Sequence, residues 1–367
     1  MNLLIIIISF LALLMILYFI YEEHNLHSEE RERLKISEYG FEEKQVSLEN
    51  GIVLNYGEGP DNGPALLLIH GQGVDWKNYA KVLPELSQDF HVFAVDCHGH
   101  GKSSHAAKSY SAEKMGTDFI WFIDHVIKEP VYLSGHSSGG LLSAWISANH
   151  IRVQSTVLED PPLFSTEKDR CQKTIAWQDN FRIAHEFLQQ SEVKDFLIFY
   201  LPRSYWKNKF KGIWKIIIAK ANRFRKKHPN RIFRIGYLPL AINKIWESAS
   251  DNRYDKRFAD SFYDCSWFEN FDQAETLKKI YCPTSLIIEQ FSYDCILLDI
   301  SLPDRNGLRL LEELKSQGKQ DGVIIISTKN SLDDKIKGLQ IANSIAIKII
   351  GCTSLKSRNS KFLLNHL

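Results

Sequence analysis

The sequence predicts an α/β protein built on a parallel sheet with crossover helices, and three observations predict it. Short apolar runs at 65–69, 91–95 and 131–134 have the length and composition of buried strands. Alternating with them, segments at 76–86, 112–126 and 141–148 carry helical spacing. The third run meets Gly135-His136-Ser137-Ser138-Gly139 and passes at once into a helical pattern. That is the setting in which a serine hydroxyl is pushed out on a tight turn.

At the amino end, residues 3–20 are apolar with only Ser9 as a polar break. This length predicts a transmembrane helix within an anchor of residues 1–21, and so a single-pass membrane protein. A cleaved secretory signal is disfavoured, because no basic segment precedes the run and no small-x-small cleavage site follows it. A buried core helix would show a polar face, and this run has none. Residues 22–43 mix both charges and read as a juxtamembrane spacer, which leaves the topology open.

The loops after the strand runs carry the chemistry. The run at 65–69 leads into His70-Gly71-Gln72-Gly73, and the run at 91–95 ends in Asp96-Cys97-His98-Gly99-His100-Gly101-Lys102-Ser103. A further run closes with Val157-Leu158-Glu159-Asp160-Pro161-Pro162. In this order the segments resemble the α/β-hydrolase superfamily over residues 44–289, with a helical cap inserted at 164–272. The resemblance implies a serine hydrolase for an ester or other acyl substrate, with no cofactor. Ser137 would be the nucleophile, and the backbone N–H groups of Gln72 and Ser138 the oxyanion hole. His70, His98, His100 and His136 read instead as loop-shaping or packing residues.

A serine hydroxyl is a poor nucleophile at neutral pH and needs a base, itself oriented by a carboxylate. In this family the chain order is serine, acid, histidine. Tyr281-Cys282-Pro283-Thr284-Ser285-Leu286-Ile287-Ile288-Glu289 reads as the penultimate strand, and beyond Glu289 the pattern stops. The usual last strand is missing, and the only later histidine is His366. Asp160 reads either as the acid or as a turn residue before its two prolines. Without the usual catalytic histidine, an inactive hydrolase stays open.

A second pattern begins where the first ends. Residues 293–307, with Asp294, Asp299, Pro303 and Gly307, resemble the phosphoacceptor strand and loop of response-regulator receiver domains. A helical stretch at 308–314, a strand at 322–326 and Ser327-Thr328-Lys329 continue the match, giving a βαβα fragment over 290–341. The resemblance implies Asp299 as phosphoacceptor and Ser327 as the hydroxyl switch. The magnesium-holding acidic pair and the lysine of complete receivers are not found. Residues 342–367 form an unassigned tail. A phosphorelay-type signalling module is therefore the alternative function, and a non-functional gene fusion is a third.

Composition bounds the rest. The chain has 367 residues, a net charge of +1 and six cysteines without paired or metal-binding spacing, so neither partner nor compartment follows from these. The local charge says more. From 205 to 246 there is no acidic residue, while Lys215, Lys220, Arg223, Lys226 and Lys227 are among the basic ones. A basic helix with an apolar face lies on anionic lipid, and an ordinary solvated face is the other reading. Expected partners are thus a small acyl substrate and a membrane, met through the amino-terminal helix and the basic cap. No nucleic acid is expected, since no recognition motif accompanies the charge.

Overall fold

The computed structural model describes residues 3–166, 168–287, 296–299, 323–327 and 346–350. Two helices, α1 (Leu3–Leu26) and α2 (Ser28–Glu38), lead into β1 (Glu42–Ser47), β2 (Val53–Glu58) and β3 (Ala65–Ile69). Then come α3 (Leu83–Leu86), β4 (His91–Val95), α4 (Ala112–Phe122), β5 (Val131–His136), α5 (Ser138–Asn149) and β6 (Val153–Glu159). The cap carries α6 (Lys168–Cys171), α7 (Arg182–Leu188), α8 (Phe196–Tyr200), α9 (Trp206–Lys209), α10 (Lys211–Lys227), α11 (Leu240–Ser250) and α12 (Lys256–Tyr263). Helix α13 (Gln273–Lys279) and β7 (Thr284–Ile287) return the chain to the sheet.

The sheet runs β1-β2-β4-β3-β5-β6-β7. Its first two pairings are antiparallel and the rest, from β4 to β7, are parallel. Burial on both faces is why the central strands read as unbroken apolar runs rather than alternating ones. In β3 the alternation survives as a division of labour. Leu67 and Ile69 face the layer of Phe119, Phe122 and Leu141, whereas Leu66 and Leu68 meet Trp76, Tyr79 and Leu83 on the other side. Each such side chain, fully buried, contributes about 2 kcal/mol. Helix starts follow capping chemistry: Ser111, Asp255 and Asp272 each accept a backbone N–H of the helix they precede.

Three further strands, β8 (Ile296–Asp299), β9 (Val323–Ser327) and β10 (Ala346–Ile350), form a separate parallel sheet in the order β10-β9-β8. The first two coincide with the strands expected around Asp299 and before Thr328. Sequence reading assigns no element to β10, because residues 342–367 resemble neither family. The helices expected at 308–314 and after 328, and the side chains of all three strands, lie outside the described residues.

The amino-terminal expectation needs correcting. Among the described residues no helix is long and apolar enough to cross a membrane. Helix α1 does not end with the apolar run at residue 20 but continues through Glu22, Glu23 and His24 to Leu26. The transmembrane helix expected over 3–20 is therefore not supported. Its carboxyl end is docked instead: buried Asn25 donates to Gly236 O (2.8 Å) and Leu238 O (3.2 Å) of the cap.

Candidate active site

Ser137 stands between β5 and α5 with φ 54° and ψ −120°. Such a conformation costs a non-glycine residue of order 1–3 kcal/mol and persists only where the surroundings impose it. Here they do. Ser137 N–H donates to Glu159 O (2.8 Å) on β6, and the Ser137 carbonyl accepts from Gly140 (2.9 Å) and Leu141 (3.2 Å) in the helix. The flanking glycines leave room for the turn: a methyl at Gly135 would collide with the Gly139 carbonyl, and one at Gly139 with the Ile69 and His70 carbonyls. The Ser137 hydroxyl makes no capping bond to the helix it opens.

The Gly71-Gln72 turn is pressed onto this corner. A methyl at Gly71 would stand 2.9 Å from His136 Nδ1 and 3.0 Å from Ser137 Cβ. Ser138 is the first residue of α5, so its N–H is one of the four in a helix that find no acceptor within it. The positive end of the α5 dipole lies at the same place. Ser137 and Ser138 therefore stand beside the turn in which Gly71 precedes Gln72.

The loop histidines are structural. His70 Nε2 accepts from Cys97 N–H (2.9 Å) and Nδ1 donates to Gly71 O (2.7 Å). His100 Nε2 accepts from Gly73 N–H (3.0 Å), and Nδ1 donates to His98 O (2.9 Å). These partners assign a neutral imidazole to both. Burial holds both pKa values below the ordinary histidine range, His100 the more strongly. His98 is tied to Asp118 at 2.7 Å. Asp96 knits the second loop, accepting from Asn55 (2.8 Å), Trp76 N–H (2.8 Å) and Lys102 N–H (2.9 Å). Burial still drives its carboxyl above the ordinary value.

Asp160, at φ 43°, follows β6 and donates its N–H to Ile287 O (2.6 Å). Because His136 pairs with Glu159 in the sheet, Asp160 lies at the same strand edge as Ser137. Glu289 and His366 fall outside the described residues. Asp299 and Ser327 close β8 and β9, but their side chains are not described.

Sequence reading missed the contribution of the cap. Asn180 reaches down to Gln72, Nδ2 to Oε1 at 3.5 Å. Tyr254 stacks on His100 with ring centroids 4.8 Å apart, and its buried hydroxyl faces the Gln72 and Asn180 amides without closing a well-formed bond to either. His185, also in the cap, is paired to Asp260 at 2.8 Å and lies on the Tyr263 ring. No periodicity marks these residues, and only the aromatic richness of the cap hinted at them.

A strained serine at a strand–helix corner, beneath a glycine turn and a helical cap, defines an α/β-hydrolase type of architecture. Comparison with known proteins agrees. Residues 64–198 match the alpha/beta hydrolase fold family, and residues 269–351 match the response regulator receiver domain. The chain thus carries an α/β-hydrolase segment followed by a receiver segment. It is 35% identical over 86 residues to the magnesium-chelatase 30 kDa subunit of Rhodobacter capsulatus, covering 23% of this chain and 30% of that protein. It is 33% identical over 108 residues to an (E)-2-((N-methylformamido)methylene)succinate hydrolase of Acinetobacter baylyi, covering 28% and 39%. The transcriptional regulatory protein CiaR of Streptococcus pneumoniae is 47% identical over 49 residues, covering 13% and 22%. The chain spans well under half the length of each of these relatives. The receiver match begins at 269, upstream of the 290 expected from sequence. Yet α13 and β7 lie within it, and β7 is in parallel register with β6 from Thr156↔Thr284 to Glu159↔Ile287. Those hydrogen-bonded pairs put β7 in the hydrolase sheet.

Proposed function

We propose that this protein is a serine hydrolase acting on an ester or related acyl substrate, attached to a membrane through α1. The observation that carries the reading is the positive φ of Ser137 with the Gly71 turn against its Cβ. In this reading Ser137 Oγ bonds to the acyl carbon, and the N–H groups of Ser138 and Gln72 hold the oxyanion. The leaving group departs with a proton, and water then adds to the acyl carbon to release the acid and restore the hydroxyl. Asp160, at the same strand edge, is a candidate acid, and His366, the histidine after the penultimate strand, is a candidate base. A site without an effective base turns over orders of magnitude more slowly than a complete triad. Support for membrane attachment comes from the exposed side chains of α1: Phe10, Met15, Phe19 and Ile20 are each more than half exposed. A helix that is apolar all round needs cover.

The test is covalent labelling. A fluorophosphonate probe should label the folded full-length protein and leave the Ser137→Ala variant unlabelled. Absence of label on the folded wild type would mean that the serine is not activated. The receiver match favours one further reading, in which Asp299 accepts phosphate and the hydrolase part serves as a scaffold. Incubation with acetyl phosphate, followed by mass analysis, separates the two.

A further inference from the structure

We propose that the outward face of cap helix α10 docks on the headgroup layer of an anionic phospholipid bilayer. The inference rests on the membrane attachment proposed above and adds a second contact, of different chemistry, on a different element.

Helix α10 buries one stripe, formed by Trp214, Ile217, Ala221 and Arg225. At about 100° per residue, the opposite side presents Lys215, Ile216, Arg223, Lys226 and Lys227, all exposed. Ile216 is 55% exposed and Ile213, beside this face, 59%. Basic side chains bracketing exposed isoleucines fit an interface in which apolar groups enter the acyl boundary while ammonium and guanidinium groups meet phosphates. Among the described residues, Lys215, Arg223, Lys226 and Lys227 have no carboxylate partner. The absence of any acidic residue from 205 to 246 leaves that field uncompensated along the chain. By contrast, buried Arg225 is spent internally, paired with Asp195 at 2.9 Å.

A second observation selects a membrane as the source of the phosphates. The apolar helix α1 is joined to this same part of the cap. Tyr18 stacks on Tyr237 with centroids 6.5 Å apart, and the Lys220 ammonium of α10 sits 4.7 Å from that ring. About two turns further on, Asn25 is bonded to Gly236 and Leu238. Tyrosines at the edge of an apolar helix mark the headgroup level of a bilayer. The lipid that covers α1 therefore places its charged surface beside α10.

Full-length protein should bind phosphatidylcholine vesicles through α1 and bind more tightly when phosphatidylglycerol is added. The triple variant Lys215→Glu/Arg223→Glu/Lys226→Glu should keep the first affinity. It should lose about 100-fold on anionic vesicles, at about fivefold for each basic group. High salt should shrink the wild-type preference in the same direction. Circular dichroism of the variant checks that the exposed changes leave it folded. Wild-type binding indifferent to phosphatidylglycerol, or a variant that keeps the full preference, overturns the α10 contact and leaves the attachment through α1 standing. Failure to bind either vesicle overturns both. Stronger retention by RNA than by anionic vesicles also overturns the proposal.

Discussion

Around Ser137 the loops at 70–76 and 96–104 are held by backbone groups, neutral imidazoles and one buried carboxylate, Asp96, whereas the cap above them buries charges of both signs. In the loops, His70 and His100 each use both ring nitrogens on neighbouring main chain. In the cap, Asp179 accepts from Tyr200 (2.7 Å), Ser204 (2.8 Å) and Tyr205 N–H (2.6 Å). Lys256 is buried against the Ser248 and Asp251 carbonyls, with its ammonium 4.3 Å from the Tyr254 ring centroid. The two regions tolerate different changes. The loops admit no extra atoms but carry little net charge. The cap has room at its surface, yet it bears the desolvation cost of ions that only its own partners offset.

The largest expected effect breaks the loop side. Gly139→Ala sets a methyl against the Ile69 and His70 carbonyls, at 2.5 Å from the latter. Backbone cannot yield as a flexible side chain does, so the variant should lose about 3 kcal/mol in denaturant unfolding. It should also lose probe labelling of Ser137.

The next effect tests the cap through pH. Burial holds Lys256 down at about 7, against an ordinary value of 10.5, despite the opposing pull of Asp251, Asp255 and Asp195. Between those values the unfolded chain carries a proton that the folded chain does not. This group's penalty is therefore full below about pH 7 and is relieved as pH rises towards 10.5. From pH 7 to pH 9 it should add about 2 kcal/mol of stability. Lys256→Met should remove that slope, as read by melting the two proteins side by side. An unchanged slope would mean that the ammonium stays hydrated.

The smallest effect sharpens the contrast in the opposite direction. A methyl at Gly212, near the start of α10, meets nothing within 4 Å. Gly212→Ala should therefore stabilise the protein by about 0.5 kcal/mol. Two glycine-to-alanine changes of opposite sign would establish that packing, not residue type, separates the regions.

Much of the loop side was legible beforehand, because its determinants are short-range. Strand, turn and helix follow one another within a dozen residues around Ser137, and the glycines announce where backbones approach. The structural roles of His70 and His100 were also readable, since a histidine inside a glycine-rich loop serves the turn first. The contributions of Asn180 and Tyr254 were not, because each reaches Gln72 only after the cap has folded over the sheet. The run at 3–20 misled in a different way. Hydropathy reports composition along the chain, but the extent of α1 and the docking of Asn25 on the cap are set by packing more than 200 residues away.

Local sequence alone carries the alternation of strands and helices, the serine corner and the two family patterns joined in one chain. These rest on local patterns of apolar residues and glycine, which the backbone must obey wherever it folds. Folding in three dimensions alone fixed the register of β7 against β6, the roof that the cap sets over Gln72, and the meeting of α1 with the basic cap. Those pairings join residues far apart in sequence, and their free energy exists only once the surfaces are in contact.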